Sequence, residues 1–160
     1  MYILLSVKGQ SERSITDQCT IVAASCACGN LRRATRAVTQ LYAKIMESSG
    51  LQPTQFTLLV ACAVAGSVPI TVLADALVMD RTTLTRNIKL LTKQGLVRVV
   101  EGDDRRVRIV ELSREGRNAL ARALSLWEKA QARMVEGLGQ ARLDSLLKDL
   151  SAVVELTRVP

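Results

Sequence analysis

Histidine is absent from all 160 residues. That absence removes imidazole-based acid–base catalysis and any mixed Cys/His zinc site. Aromatic residues are scarce as well, at 2%. The interior must therefore be filled by the Leu, Ala and Val that dominate a chain 48% hydrophobic, a composition that favours helices. Long apolar runs are missing too: the longest, Leu58–Ala65, is far short of the roughly 20 residues needed to cross a bilayer. The opening MYILLSVKGQSERS has neither the basic n-region nor the apolar h-region of a secretion signal, and residues 1–17 are expected to form a loosely held leader. No Gly-rich phosphate loop, nucleophile elbow or carboxylate pair in an apolar setting occurs, so an enzyme is not expected. With no export signal, the protein is expected in the cytoplasm with its four cysteines reduced.

Acid is also unevenly distributed. None lies between Asp17 and Glu47, where Arg32, Arg33, Arg36 and Lys44 stand. From Arg81 to Arg108, eight cations face only Glu101, Asp103 and Asp104, a surplus of five within a net charge of +7. A basic patch of this density is the footprint of a phosphate-binding surface when it coincides with a binding motif.

It does coincide with one. The length suits a single domain, and no internal repeat occurs. Leu31, Ala34, Val38, Leu41 and Ile45 recur at helical spacing over about Cys26–Glu47 and predict a first long helix. Pro53 opens a second, nearly all-apolar helix through Ala65, expected in the middle of the core. Thr71 starts a short third helix, with Val72, Leu73, Ala76 and Leu77 expected to pack inward. Met79-Asp80 forms a turn, with Asp80 as N-cap of a fourth helix, about Arg81–Gln94, whose buried stripe is Leu84, Ile88 and Leu91. Thr82, Thr83, Thr85, Arg86 and Lys89 lie on its other side, short-chained near the start and free of acid, so close approach to base edges is open to them. Two β-branched runs, Val97–Val100 and Val107–Leu112, flank a charged tip with Arg105 and Arg106. Ser113 caps a fifth helix to about Gly137, and a sixth follows from Gln140 with Leu143, Leu146, Leu147, Leu150 and Val153. The fold expected is mostly α with a small β-hairpin wing: a winged helix-turn-helix lobe over 51–112, flanked by N- and C-terminal dimerisation helices over 18–50 and 113–160. Double-stranded DNA is the expected partner, with Thr82, Thr83, Thr85, Arg86, Lys89, Arg105 and Arg106 as candidate contacts.

These residues resemble the MarR family of bacterial transcription regulators. LADALVMDRTTLTRNIKLLTKQGLV and the wing DDRRVRIVELSREG carry the likeness, which runs from Asn30 to Val154. The resemblance implies a two-fold homodimer built from the first and last helices, a repressor in bacterial cytoplasm associated with the nucleoid. It also implies that Asp104 braces Arg106 for entry into a minor groove, and that an effector releases the DNA. Cys28, with Arg36-Ala37-Val38-Thr39 and Tyr42 following, is similar to the organic-hydroperoxide-sensing branch of that family, which implies that Cys28 is an oxidisable thiol reached by the partner's Tyr42. A helix N-terminus with Arg32 or Arg33 near it favours a thiolate. The branch's tyrosine before the second helix is replaced here by Pro53 and Thr54, and no cysteine follows Cys62.

Other readings remain open at this level. Cys28 could be a small partly buried hydrophobe, the centre of a thiol peroxidase, or a chelator with Cys19 and Cys26. The last conflicts with helix geometry, in which i and i+2 point about 200° apart. Neither metal nor cofactor is expected. A small anionic effector could meet Arg32, Arg33 and Arg36. A winged helix serving only protein interaction would need apolar residues where Thr82, Thr85, Arg86 and Lys89 stand.

Overall fold

A computed structural model describes residues 14–157. The chain divides after Gln40 into two compact units.

The first contains helix α1 (Ile15–Ser25) and most of helix α2 (Ala27–Met46). α1 was not expected, and it begins inside the segment read as a leader, whose residues 1–13 lie outside the described residues. Ser14 starts it by accepting the Asp17 N–H through Oγ at 3.2 Å. Cys26 ends it in extended backbone, φ −67° and ψ 109°. The Cys26 Sγ then accepts the Gly29 N–H at 3.4 Å, and the Asn30 side-chain amide donates to the Cys26 carbonyl at 3.0 Å. A thiol and an asparagine thus take up backbone groups freed by the break.

The second unit holds the rest of α2, a 3₁₀ turn (Glu47–Ser49), α3 (Pro53–Ala65), β1 (Val68–Pro69), α4 (Ile70–Ala76), α5 (Arg81–Lys93), β2 (Val97–Glu101), β3 (Arg108–Leu112), α6 (Arg114–Leu138) and α7 (Gln140–Thr157). The architecture is mostly helical with one small antiparallel sheet, in the order β1-β3-β2. β2 and β3 form the wing hairpin in the register Val97↔Leu112 to Glu101↔Arg108. β1 is a two-residue edge strand added at Val68↔Val110 and Pro69↔Ile109, an edge being where proline is tolerated.

The core lies under this sheet. Leu84, Ile88 and Leu91 of α5 pack with Phe56, Leu58, Leu59 and Cys62 of α3, Leu73 and Ala74 of α4, Val97 and Val110 of the sheet, and Ala119, Leu120 and Ala123 of α6. Each buried Leu or Ile contributes roughly 1.5–3 kcal/mol of transfer free energy. The first half of α3 is central as expected, whereas Val64 at its end is 84% exposed. The inward face of α4 differs from expectation. Val72 and Ala76 face outward, and Leu73 and Ala74 are buried. A helix of seven residues has only two turns, and the pair at positions 73 and 74 meets the α5 stripe, which leaves 72 and 76 on the far side.

Candidate nucleic-acid interface

Three local choices place the α5 surface. Asp80 Oδ1 accepts the Thr83 N–H at 2.8 Å and starts the helix. Hydrogen bonds from the Thr83 side chain and then its backbone hold the Asp80 carboxyl below the ordinary carboxylate value. Leu84, Ile88 and Leu91 pin the opposite face into the core. Gly95, at φ +73°, then turns the chain into the wing, a backbone region that favours glycine.

What remains exposed is a polar stripe. Thr82, Thr85, Arg86 and Lys89, spaced i, i+3, i+4 and i+7, line one open groove of about 410 Å³ together with Arg81. Thr85, Arg86 and Lys89 also border a second cleft of about 810 Å³ between α5 and the wing, floored by Ile70, Ile88, Leu90 and Val99 and edged by Lys93 and Arg108. The structure therefore gathers four of the five expected α5 residues. Thr83 borders neither groove: its N–H serves the Asp80 cap and its carbonyl accepts the Asn87 side-chain amide at 2.8 Å. Sequence reasoning counted Arg81 only as charge and missed Leu90 and Val99. Both are apolar yet partly open to solvent, Leu90 at 46% exposure.

The wing tip is organised by Asp104. Its Oδ1 accepts the Arg106 backbone N–H at 2.9 Å, and its carbonyl accepts the Val107 N–H at 2.8 Å. Asp104 thus supports Arg106 through the main chain, leaving the guanidinium free to project. Lower on the strands, Arg108 pairs with Glu101 at 2.8 Å and Arg98 with Glu111 at 3.7 Å. Among the described residues, none of Arg81, Arg86, Lys89, Lys93, Arg105 or Arg106 enters an ion pair, so α5 and the wing tip both carry uncompensated cations.

The remaining candidates lie elsewhere. Cys28 is exposed in the first turn of α2, Cys19 is exposed on α1, and Cys26 is half-buried. Cys62 is buried, and burial pushes its thiol up to about 11, so it stays protonated at neutral pH. The Tyr42 hydroxyl donates to Gln131 Oε1 on α6 at 2.7 Å, and burial raises its pKa. Among the described residues, no three His, Cys, Asp or Glu side chains are placed to hold a metal, and no helix is long and apolar enough to cross a membrane.

A helix pair presenting an unpaired basic stripe, followed by a hairpin with an arginine tip, defines a winged helix DNA-binding transcription regulator. Residues 49–107 match the model of the MarR family. The transcriptional regulator MosR of M. tuberculosis, solved in complex with DNA, is 36% identical at a TM-score of 0.74, over 84% of this chain and 100% of that one. A probable transcriptional regulator from Pseudomonas aeruginosa is 27% identical at 0.74, over 81% and 98%. The transcriptional repressor CouR is 27% identical at 0.75 when bound to a 23-mer DNA duplex, over 82% and 94%. CouR has also been solved with p-coumaroyl-CoA, at 25% identity and 0.74, again over 82% and 94%. No curated protein matches the chain in sequence. The chain belongs to the MarR family.

Proposed function

We propose that this protein is a homodimeric repressor that reads a pseudo-palindromic operator in the bacterial nucleoid and is released by an effector. The observation that carries the reading is the stripe of Thr82, Thr85, Arg86 and Lys89 on α5, whose cations, like Arg105 and Arg106 of the wing tip, enter no ion pair among the described residues. Arg86 and Lys89 contact base edges or phosphates in the major groove, the short threonines permit close approach, and the wing arginines reach the phosphates or the minor groove. Thr83 contributes chiefly by starting the helix. A second copy covers apolar residues left exposed at both ends of the chain, including Ile15 and Val22 on α1 and Leu147 and Val153 on α7. Two-fold pairing places the two α5 helices at half-sites roughly 34–36 Å apart. Repression is inferred from CouR, and ligand release from its p-coumaroyl-CoA complex.

A peroxide is the effector with a specific observation in its favour. Cys28 is an exposed thiol in the first turn of α2, a helix that contains Arg32, Arg33 and Arg36 and no acid. Its thiol attacks a hydroperoxide oxygen and becomes a sulfenic acid while an alcohol leaves. One experiment tests both parts: selection of bound duplexes from a mixed pool, with and without cumene hydroperoxide, for the parent and Cys28→Ser. A palindromic site released by peroxide in the parent alone is the expected result. Enrichment indifferent to peroxide rules out the thiol reading, and no enrichment at low salt rules out DNA reading altogether.

A further inference from the structure

Among the described residues only two polar side chains are buried, Gln55 at 6% exposure and Ser113 at 4%. They come from different elements, α3 and the N-cap of α6, and converge on the same three residues, Gln94-Gly95-Leu96, where α5 ends and the wing begins. The Gln55 Oε1 accepts the Gln52 backbone N–H at 2.9 Å. That contact fixes which way the amide points, so its Nε2 donates to Gln94 Oε1 at 3.0 Å. The Ser113 hydroxyl donates to the Gly95 carbonyl at 2.6 Å and accepts the Gly116 N–H at 2.9 Å, while the Ser113 N–H donates to the Leu96 carbonyl at 3.1 Å. Gly116 lies against that same carbonyl so closely that a Cβ would overlap its oxygen.

Both supports are rooted in the scaffold. Gln55 is in the first turn of α3, close after α2 and its 3₁₀ turn. Ser113 begins α6, and α6 is tied to the end of α2 by the Tyr42–Gln131 hydrogen bond. We propose that Gln55, Gln94 and Ser113 are positioning residues that fix the exit of α5, and with it the angle at which the helix and the wing present themselves to the operator. The inference rests on the DNA-reading function above. A buried amide that loses its acceptor gains from any motion that finds it another, so the α5 exit then samples several orientations. Phosphate binding tolerates that spread, whereas base readout at two linked half-sites does not.

The test compares Gln94→Met, which keeps length but removes the acceptor, with Gln94→Glu, which keeps an acceptor. Gln94 is exposed, so both variants are expected to fold, and Tm is measured alongside. Affinities are read for the selected operator, for the operator with one base pair added between half-sites, and for a scrambled duplex. The ratio of operator to scrambled affinity cancels any general repulsion that the new carboxylate of Gln94→Glu adds. For Gln94→Met that ratio is expected to fall about tenfold. Its scrambled-duplex affinity is expected to hold, and its penalty for the altered spacing to shrink. Gln94→Glu is expected to keep the parent ratio. Parent-like discrimination by Gln94→Met, or an equal loss in both variants, overturns the positioning role. A parent that prefers no duplex removes the DNA-reading function itself and this inference with it.

Discussion

Val78 has φ +53°, the left-handed region where a β-branched side chain is strained, and it is 58% exposed in the turn between α4 and α5, so its side chain contributes little packing in return. Val78→Gly is therefore expected to raise stability by roughly 0.5–1 kcal/mol, after the entropy cost of glycine in the unfolded chain, seen as a higher urea midpoint at unchanged m-value. The two cations of the α5 stripe differ in what they can read. Arg86 has a planar fork suited to a guanine edge, and Lys89 is a point charge. If Arg86 reads a base, Arg86→Ala costs about 1–3 kcal/mol on the operator and relaxes preference at one base pair. Lys89→Ala weakens all duplexes alike and lowers the salt slope by about 1. Titrations at several salt concentrations separate these outcomes, and identical behaviour of the two variants would refute the assignment. Asp80 gives a pH signature. Its folded-state pKa lies below the unfolded value of about 3.9, so its stabilising effect is complete above that value and is lost as pH falls through the lower folded one. Asp80→Asn is expected to flatten stability against pH in that acidic window and to leave neutral pH profiles parallel to the parent.

At the scale of elements, what was legible in the sequence was whatever a short local pattern dictates. The α5 stripe of Leu84, Ile88 and Leu91, the Asp80 cap and the Ser113 cap were all readable, because caps and periodicity act within one turn of helix. The Thr82, Thr85, Arg86 and Lys89 surface followed by subtraction from that stripe. α1 was not legible: ITDQCTIVAAS has apolar residues all round and none of them buried, so no face stands out. β1 escaped because two residues including Pro69 make a strand only when β3 offers them an edge, a long-range fact. The outward turn of Val72 and the clamp of Gln55 on Gln94, 39 residues apart, are likewise tertiary. Gly116 shows how one element end depends on another. The α6 start passes so close to the Leu96 carbonyl that only a bare Cα fits. Gly116→Ala must push α6 off the wing base, at a cost of about 3 kcal/mol or more, detectable as a drop in Tm with helical content retained below the transition.

For the whole molecule, the decisive quantity is what covers α7. Leu143 is its one buried residue, while Leu146, Leu147, Leu150 and Val153 stay 37–48% exposed along the helix, an arrangement that leaves a stripe of leucines facing water in a single chain. The hydrophobic effect favours burying such a stripe, and a second copy supplies a matching one under two-fold symmetry, where the same patch meets itself. Leu150→Asp separates dimerisation from folding, because the position is already partly solvated in one chain but becomes desolvated in a dimer. The variant is expected to sediment as a monomer at micromolar concentration with its helical content intact. Its Tm should also be independent of protein concentration, whereas that of the parent is expected to rise with it. On DNA, losing the second half-site contact removes the effective-concentration advantage, so affinity for the full operator should fall by roughly 10²–10⁴ while affinity for an isolated half-site is unchanged. A variant that stays dimeric would place the dimer contact elsewhere than α7. A monomer that still binds the full operator at parent affinity would show that the two α5 helices do not act together.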